Sequence, residues 1–166
     1  MATPIVIWPA RVLTRPTRAV TEFGAKLQPL LAEMLESVRE AQGIGIAATQ
    51  IGVDLRVALV GREDGEFFEI VNPEVLERSE PVSLVEGCLS VPDEFEPTPR
   101  HRRVRVRFWD KDGQPHELAA EDRLAHVLQH EIDHLDGVVF VTHLSTLKRD
   151  LIRKKMRRRK RAEAEE

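Results

Sequence analysis

Two histidines four residues apart set the strongest limit on what this chain can become. Residues 129–134 read Gln-His-Glu-Ile-Asp-His. If the segment is helical, His130 and His134 stand one above the other, with Cβ atoms about 5–6 Å apart. Both rings then reach one metal ion. Glu131, beside the first ring, is placed to take a proton from a water at that ion. The pattern H-E-x-x-H points to metal-assisted hydrolysis; the plainer alternative is a surface helix with two solvated histidines. Leu124, Val127, Leu128, Ile132 and Leu135 give the span Glu121–Asp136 one apolar face. His130 and His134 flank that face, and Glu131 points toward it. A mostly buried Glu131 is therefore expected, as a general base with a raised pKa requires.

A catalytic ion usually takes three protein ligands and one water, so a third ligand must come from elsewhere. His143 could fold back after Gly137. His126 cannot share an ion with both others, because His126 to His134 spans about 12 Å of helix axis. Phe140 stands where the longer metzincin pattern needs histidine, and Glu163 sits in a charged tail. Cys88 is the only cysteine, flanked by Gly87 and Leu89. A thiolate with two imidazoles suits Zn²⁺ or another first-row divalent ion. At this level His143 and Cys88 both stay open, as does an inert buried thiol.

The length of 166 residues fits one domain with a real core. No apolar run approaches the roughly 20 residues of a membrane span. Met1-Ala2-Thr3-Pro4 has no basic region leading into an apolar one, so no signal peptide is expected. One cysteine excludes an internal disulfide and fits a reducing cytoplasm. The net charge of −3 hides an asymmetry. Lys148–Arg161 holds ten of the 25 Lys and Arg and one acid, Asp150, whereas residues 1–147 carry 15 basic and 24 acidic residues. An acidic body thus bears a basic tail, of a kind that often meets nucleic acid.

Along the chain, residues 10–24 read mostly as loop. Lys26–Gln42 follows a helical period with Leu27, Leu30, Leu31, Met34, Leu35 and Val38 on one face. Pro29 fits only in its first turn, and Gly43 is expected to stop it. Gly43–Gly52 matches a relaxed dinucleotide fingerprint in the wrong context: a helix precedes it and the strand-like Leu55–Val60 follows. Its glycines read better as a bare backbone strip along which a ligand chain can lie, with the Gln50 amide at its end. Phe67–Val71 reads as a strand ending at Asn72-Pro73, Val75–Leu84 as another, and residues 93–100 as proline-rich and irregular. Arg103–Trp109 alternates, with Val104, Val106 and Phe108 on one face. Asp110–Gly113 is a hairpin turn, and Gln114–Ala119 the returning strand. Val138–Val141 reads as a last short strand and Ser145 onward as a C-terminal helix.

Three segments, Gly43–Gln50 (GIGIAATQ), Glu86–Ser90 (EGCLS) and Gln129–His134 (QHEIDH), resemble in order and separation the three motifs of peptide deformylase. The resemblance covers residues 4–147. It implies an α+β fold, with mixed, mostly antiparallel strands packed around a central metal-binding helix and a C-terminal helix. It divides the chain into a catalytic domain, 1–147, and a basic C-terminal helix or tail, 148–166. It implies a hydrolase of protein biosynthesis that removes the formyl group from the N-terminal methionine of nascent polypeptides. Residue by residue, Cys88, His130 and His134 resemble the metal ligands and Glu131 the general acid/base. Gln50 and the backbone N–H of Leu89 resemble the oxyanion donors. Gly45 resembles a residue that pairs with the substrate backbone, and Ile44 and Val127 resemble linings of the methionine pocket. The implied cofactor is one divalent ion, Fe²⁺ in the cell, with Zn²⁺, Ni²⁺ or Co²⁺ able to replace it. The basic tail resembles a helix that reaches the ribosome. A cytoplasmic monomer with no membrane partner is expected. His126 stands where relatives often have an apolar or arginine side chain, and is expected to face water rather than rim the pocket.

Two readings from the residues stand beside this one. One is a metallopeptidase using the same H-E-x-x-H machinery, against which a cysteine ligand argues. The other is an RNA- or ribosome-binding protein with a structural metal or none, against which Gln50 and Glu131 argue.

Overall fold

The helix that carries the two histidines runs from Asp122 to Leu135 and is α2 of three α-helices among the described residues. Its end is fixed by backbone chemistry. Gly137 takes φ +80°, Val138 N–H donates to Asp133 O (2.8 Å) and Gly137 N–H to His134 O (3.1 Å). These are the two bonds of a Schellman ending. The N-terminal segment crosses this end: Thr17 N–H and Oγ1 both donate to Leu135 O, at 3.0 and 2.7 Å.

The computed structural model describes residues 2–165, so Met1 and Glu166, the outermost residues of the two expected segments, lie outside the described residues. The other elements are α1 (Gln28–Glu40), β1 (Gly45–Ala47), β2 (Val57–Gly61), β3 (Phe67–Cys88), β4 (Val91–Trp109), β5 (Pro115–Glu121) and α3 (Thr146–Ala164). The strands form one sheet in the order β1-β2-β3-β4-β5, antiparallel at every pairing. This is the α+β architecture expected.

Strand alternation splits the core between two helices. Ala47, Ala58, Val60, Ile70, Val104, Val106 and Phe108 pack with Val127, Leu128, Ile132 and Leu135 of α2. Ile46, Val57, Leu59 and Val71 pack on the opposite side with Leu31, Met34 and Val38 of α1. A third cluster joins Trp8, Val91, Phe140 and Val141 to Ile152 and Met156 of α3.

Four expectations are corrected. Asn72-Pro73 bends β3 rather than ending it. The register shifts there, Asn72 takes φ +50°, and its side chain bonds both backbone groups of Val20 at 2.8 and 2.9 Å. The proline-rich 93–100 stretch is strand: Pro97 pairs with Val85 and Pro99 with Ser83. Prolines are tolerated because β5 pairs with β4 only from Arg103 onward, so their missing N–H groups face an edge without a partner strand. Val138–Val141 is no strand. Val139, Phe140 and Val141 are all buried, which an alternating strand on a surface cannot achieve, and Phe140–His143 form a 3₁₀ turn. At the end of α1 the left-handed residue is Gln42 (φ +57°), with Gly43 N–H donating back to Val38 O at 2.9 Å.

A Cβ on Gly137 would lie 2.5 Å from the Arg15 carbonyl carbon, at a backbone angle that side chains rarely adopt. Gly137→Ala is expected to destabilise the protein by more than about 1 kcal/mol, read as a lower urea midpoint at unchanged m-value.

Candidate active site

Helix geometry brings the two rings of α2 together. His130 Nε2 and His134 Nε2 are 3.2 Å apart. Cys88, the last residue of β3, meets them from the sheet, with its Sγ 3.2 Å from His134 Nε2. Donor atoms of all three lie within 4.8 Å of one another. Ligands at about 2.0–2.3 Å around a tetrahedral ion stand a little over 3 Å apart, so the three residues fit a divalent ion. His143 does not join them; its Nε2 pairs instead with Asp133 Oδ2 at 3.0 Å.

Behind these three lies a buried polar network that motif reading missed. The Glu86 carboxylate accepts from His130 Nδ1 in a short bond, which turns the other ring nitrogen, Nε2, toward Cys88 and His134. Glu86 also bonds His126 Nε2 at 3.0 Å and takes Arg100 Nε and Nη2 at 2.9 and 2.7 Å. Arg100 Nη1 continues to Asp133 at 2.5 Å. Burial alone would raise the Glu86 carboxyl, yet hydrogen bonds from His126, His130 and Arg100 hold it well below the ordinary carboxylate range. His126 therefore faces the site and not water: it lines the cavity beside Val127 and His130. The carboxylate can accept several donors at once, and an imidazole one turn before His130 is within its reach. Glu86 could have been suspected from its place two residues before Cys88. Arg100 gave no local signal, since only the β3–β4 register brings it near.

Glu131 is 2% exposed, and its Oε1 has no hydrogen-bond partner among the described residues. Burial pushes its carboxyl up to about 7, against the pull of His130. A base near neutrality is suited to moving a proton at physiological pH. Its position depends on Gly45. A Cβ there would lie 2.6 Å from Glu131 Oε2, so the bare face of β1 is filled from within by this carboxylate. Gly43 likewise leaves room for Leu89, whose Cδ1 would stand 2.8 Å from an added Cβ.

Gln50 is buried, with its orientation fixed by the backbone: Oε1 accepts from Ala47 N–H at 2.9 Å, which turns Nε2 toward Ser90 Oγ (3.2 Å) and Cys88 Sγ (3.7 Å). Leu89 and Ser90 form the tight turn between Cys88 and Val91. A cavity of about 550 Å³ opens over these groups, lined among others by Ile44, Gly45, Gln50, Cys88, Leu89, Val127, His130 and Glu131. Every site residue expected from the sequence thus borders one cavity or, for His134, stands directly behind it.

The sequence profile described as polypeptide deformylase matches residues 2–150. The chain belongs to the polypeptide deformylase family. A peptide deformylase of Desulfotalea psychrophila is 44% identical over 159 residues, covering 93% of this chain and 94% of that one. The crystal structure of a peptide deformylase from Legionella pneumophila superposes with TM-score 0.92 at 38% identity, covering 100% and 99% of the two chains. The peptide deformylase from Ehrlichia chaffeensis in complex with actinonin gives TM-score 0.92 at 36% identity, over 96% and 98%. These deformylases match nearly end to end, so the α+β body and the C-terminal helix are both shared.

Gly45→Ala is expected to displace the Glu131 carboxylate while leaving Cys88, His130 and His134 in place. Deformylase kcat should fall about 10²-fold, with the metal content of the purified protein unchanged by elemental analysis.

Proposed function

We propose that this chain hydrolyses the N-terminal formyl group of nascent formyl-methionyl polypeptides, with Cys88, His130 and His134 holding one divalent ion, Fe²⁺ in the cell and Zn²⁺, Ni²⁺ or Co²⁺ in substitution. The observation that carries this reading is the convergence of those three donor sets beside a buried, raised-pKa Glu131 at the floor of one cavity. When bound, the ion supplies Lewis acidity and eases ionisation of water at neutral pH.

The chain's own residues supply the rest. Glu131 takes the proton of the attacking water and returns it to the departing amine as formate leaves. The Gln50 amide and the Leu89 N–H stabilise the charge that develops on the formyl oxygen; losing one such donor costs roughly 10²–10³ in rate. β1 is an edge strand beside the cavity, so an extended peptide adds to it as a further strand at Gly45, using backbone bonds that read no side chains. Ile44 and Val127 flank the methionine side chain. The soft thiolate limits the positive charge of the site and, with Fe²⁺, makes it sensitive to oxygen.

For the setting we infer a cytoplasmic monomer; no helix among the described residues is long and apolar enough to cross a membrane. We assign residues 1–147 to catalysis and the basic helix to ribosome contact. Lys154, Arg157, Arg158 and Arg161 share the exposed face of α3 and have no ion-pair partner among the described residues. A row of such charges suits rRNA phosphates, with affinity that falls steeply as salt rises.

Anaerobically purified protein is expected to release formate from formyl-Met-Ala-Ser, and Glu131→Ala to lose nearly all of it at equal metal loading. A fully metallated parent that released none would sink the assignment. A chelator should abolish activity, and added Fe²⁺ or Ni²⁺ restore it. Neutralising Lys154, Arg157, Arg158 and Arg161 together should abolish ribosome co-sedimentation at low salt while formate release from the tripeptide is kept.

A further inference from the structure

We propose that α3 braces the outer wall of the substrate cavity, through ion pairs that position Phe95; the inference rests on the deformylase reading for its substrate. The tail's cations do not all face solvent freely. Lys155 Nζ bonds Glu94 Oε1 at 2.7 Å, Lys148 Nζ bonds Glu96 Oε2 at 3.0 Å and Arg159 Nη1 bonds Asp93 Oδ2 at 3.2 Å. Positions 148, 155 and 159 fall on one flank of the helix. Their partners are consecutive residues at the start of β4, interrupted only by Phe95.

The alternation of a strand explains why this matters. Glu94 and Glu96 point to α3, and Phe95, between them, points the other way, into the cavity lining. Its ring lies over Gly87: a Cβ there would stand 2.5 Å from Phe95 Cε1. Asp93, at φ +67°, breaks the alternation and borders the cavity while paired to Arg159. α3 itself is anchored independently of these pairs. Ile152 and Met156 are buried with Trp8, and the Arg153 guanidinium sits 5.2 Å from the Trp8 ring centroid. A helix pinned to the core therefore holds the back of the strand whose front is the cavity wall. That front is apolar and open: Phe95, Val85 and Ile44 are 69%, 66% and 51% exposed around the same cavity. Water-exposed apolar rims of this kind gain when a ligand covers them. The geometry thus makes Lys155 and Glu94 positioning residues for the part of the peptide beyond its first residue.

The test is a mutant cycle on formyl-Met-Ala-Ser hydrolysis, at matched metal content and with each variant's melting temperature checked. Lys155→Glu puts like charges face to face and is expected to raise KM about threefold or more, with kcat unchanged, because only uniform binding is lost. The charge swap Glu94→Lys with Lys155→Glu should bring KM back. In a Phe95→Ala background Lys155→Glu should add nothing, since the brace acts through that ring. An active, folded Lys155→Glu variant with the parent's KM would overturn the proposal, as would a full Lys155→Glu effect persisting without Phe95. Failure of the parent to release formate would strike the deformylase assignment instead.

Discussion

The buried Glu86 carboxylate takes hydrogen bonds from His126 and His130 on α2 and from the equally buried Arg100 on β4. Much of the site follows from that one group. It joins the β3–β4 hairpin to the helix, so Cys88, two residues further along β3, is brought to His134. It also fixes the ring of His130. Burying a carboxylate and a guanidinium is expensive, and the pair is tolerable because the carboxylate accepts four hydrogen bonds and each guanidinium nitrogen donates one. Removing either partner would strand a charge, an error typically worth 3–5 kcal/mol. Such a network gives little net stability; here its product is geometry.

Gln129, the first residue of the helix motif, makes a parallel link in neutral groups. Its amide donates to His101 O at 2.7 Å and accepts from His101 N–H at 2.9 Å, as a neighbouring strand would. β4 lacks a strand on that side because β5 begins its pairing at Arg103. A side chain thus satisfies backbone groups that burial would otherwise leave unpaired. Three successive residues of one helix therefore meet three different surroundings: Gln129 the backbone of β4, His130 the side chains of Glu86, Cys88 and His134, and Glu131 the cavity beside Gly45.

Periodicity and spacing made the body of this structure legible. The apolar faces of α1 and α2, the alternating Val104, Val106 and Phe108, and the Asp110–Gly113 turn all stand as the sequence suggests. His130, His134 and Glu131 could be placed by helix geometry alone. Cys88 needed the resemblance, because no spacing rule separated it from His143. The hidden parts share one property: they depend on register across long sequence separation. Pro97 and Pro99 look like breakers until one knows which edge of β4 is unpaired. Phe140 looks like strand until its neighbours prove equally buried. His126 looks solvated until Glu86, forty residues away, arrives beneath it. Arg100 could not be singled out from the other arginines of β4 for the same reason.

β1 is only three residues long, with one edge taken by β2. An unpaired strand edge is a template for any extended chain, including another copy of the same protein, and long flat edges invite fibrous assembly. Brevity limits that hazard. Three residues give too few ladder bonds to recruit a whole sheet, yet enough for the end of an extended peptide to pair in the manner proposed above. The shortness of β1 thus separates a welcome guest from a sticky neighbour, and lengthening it by design would trade solubility for grip.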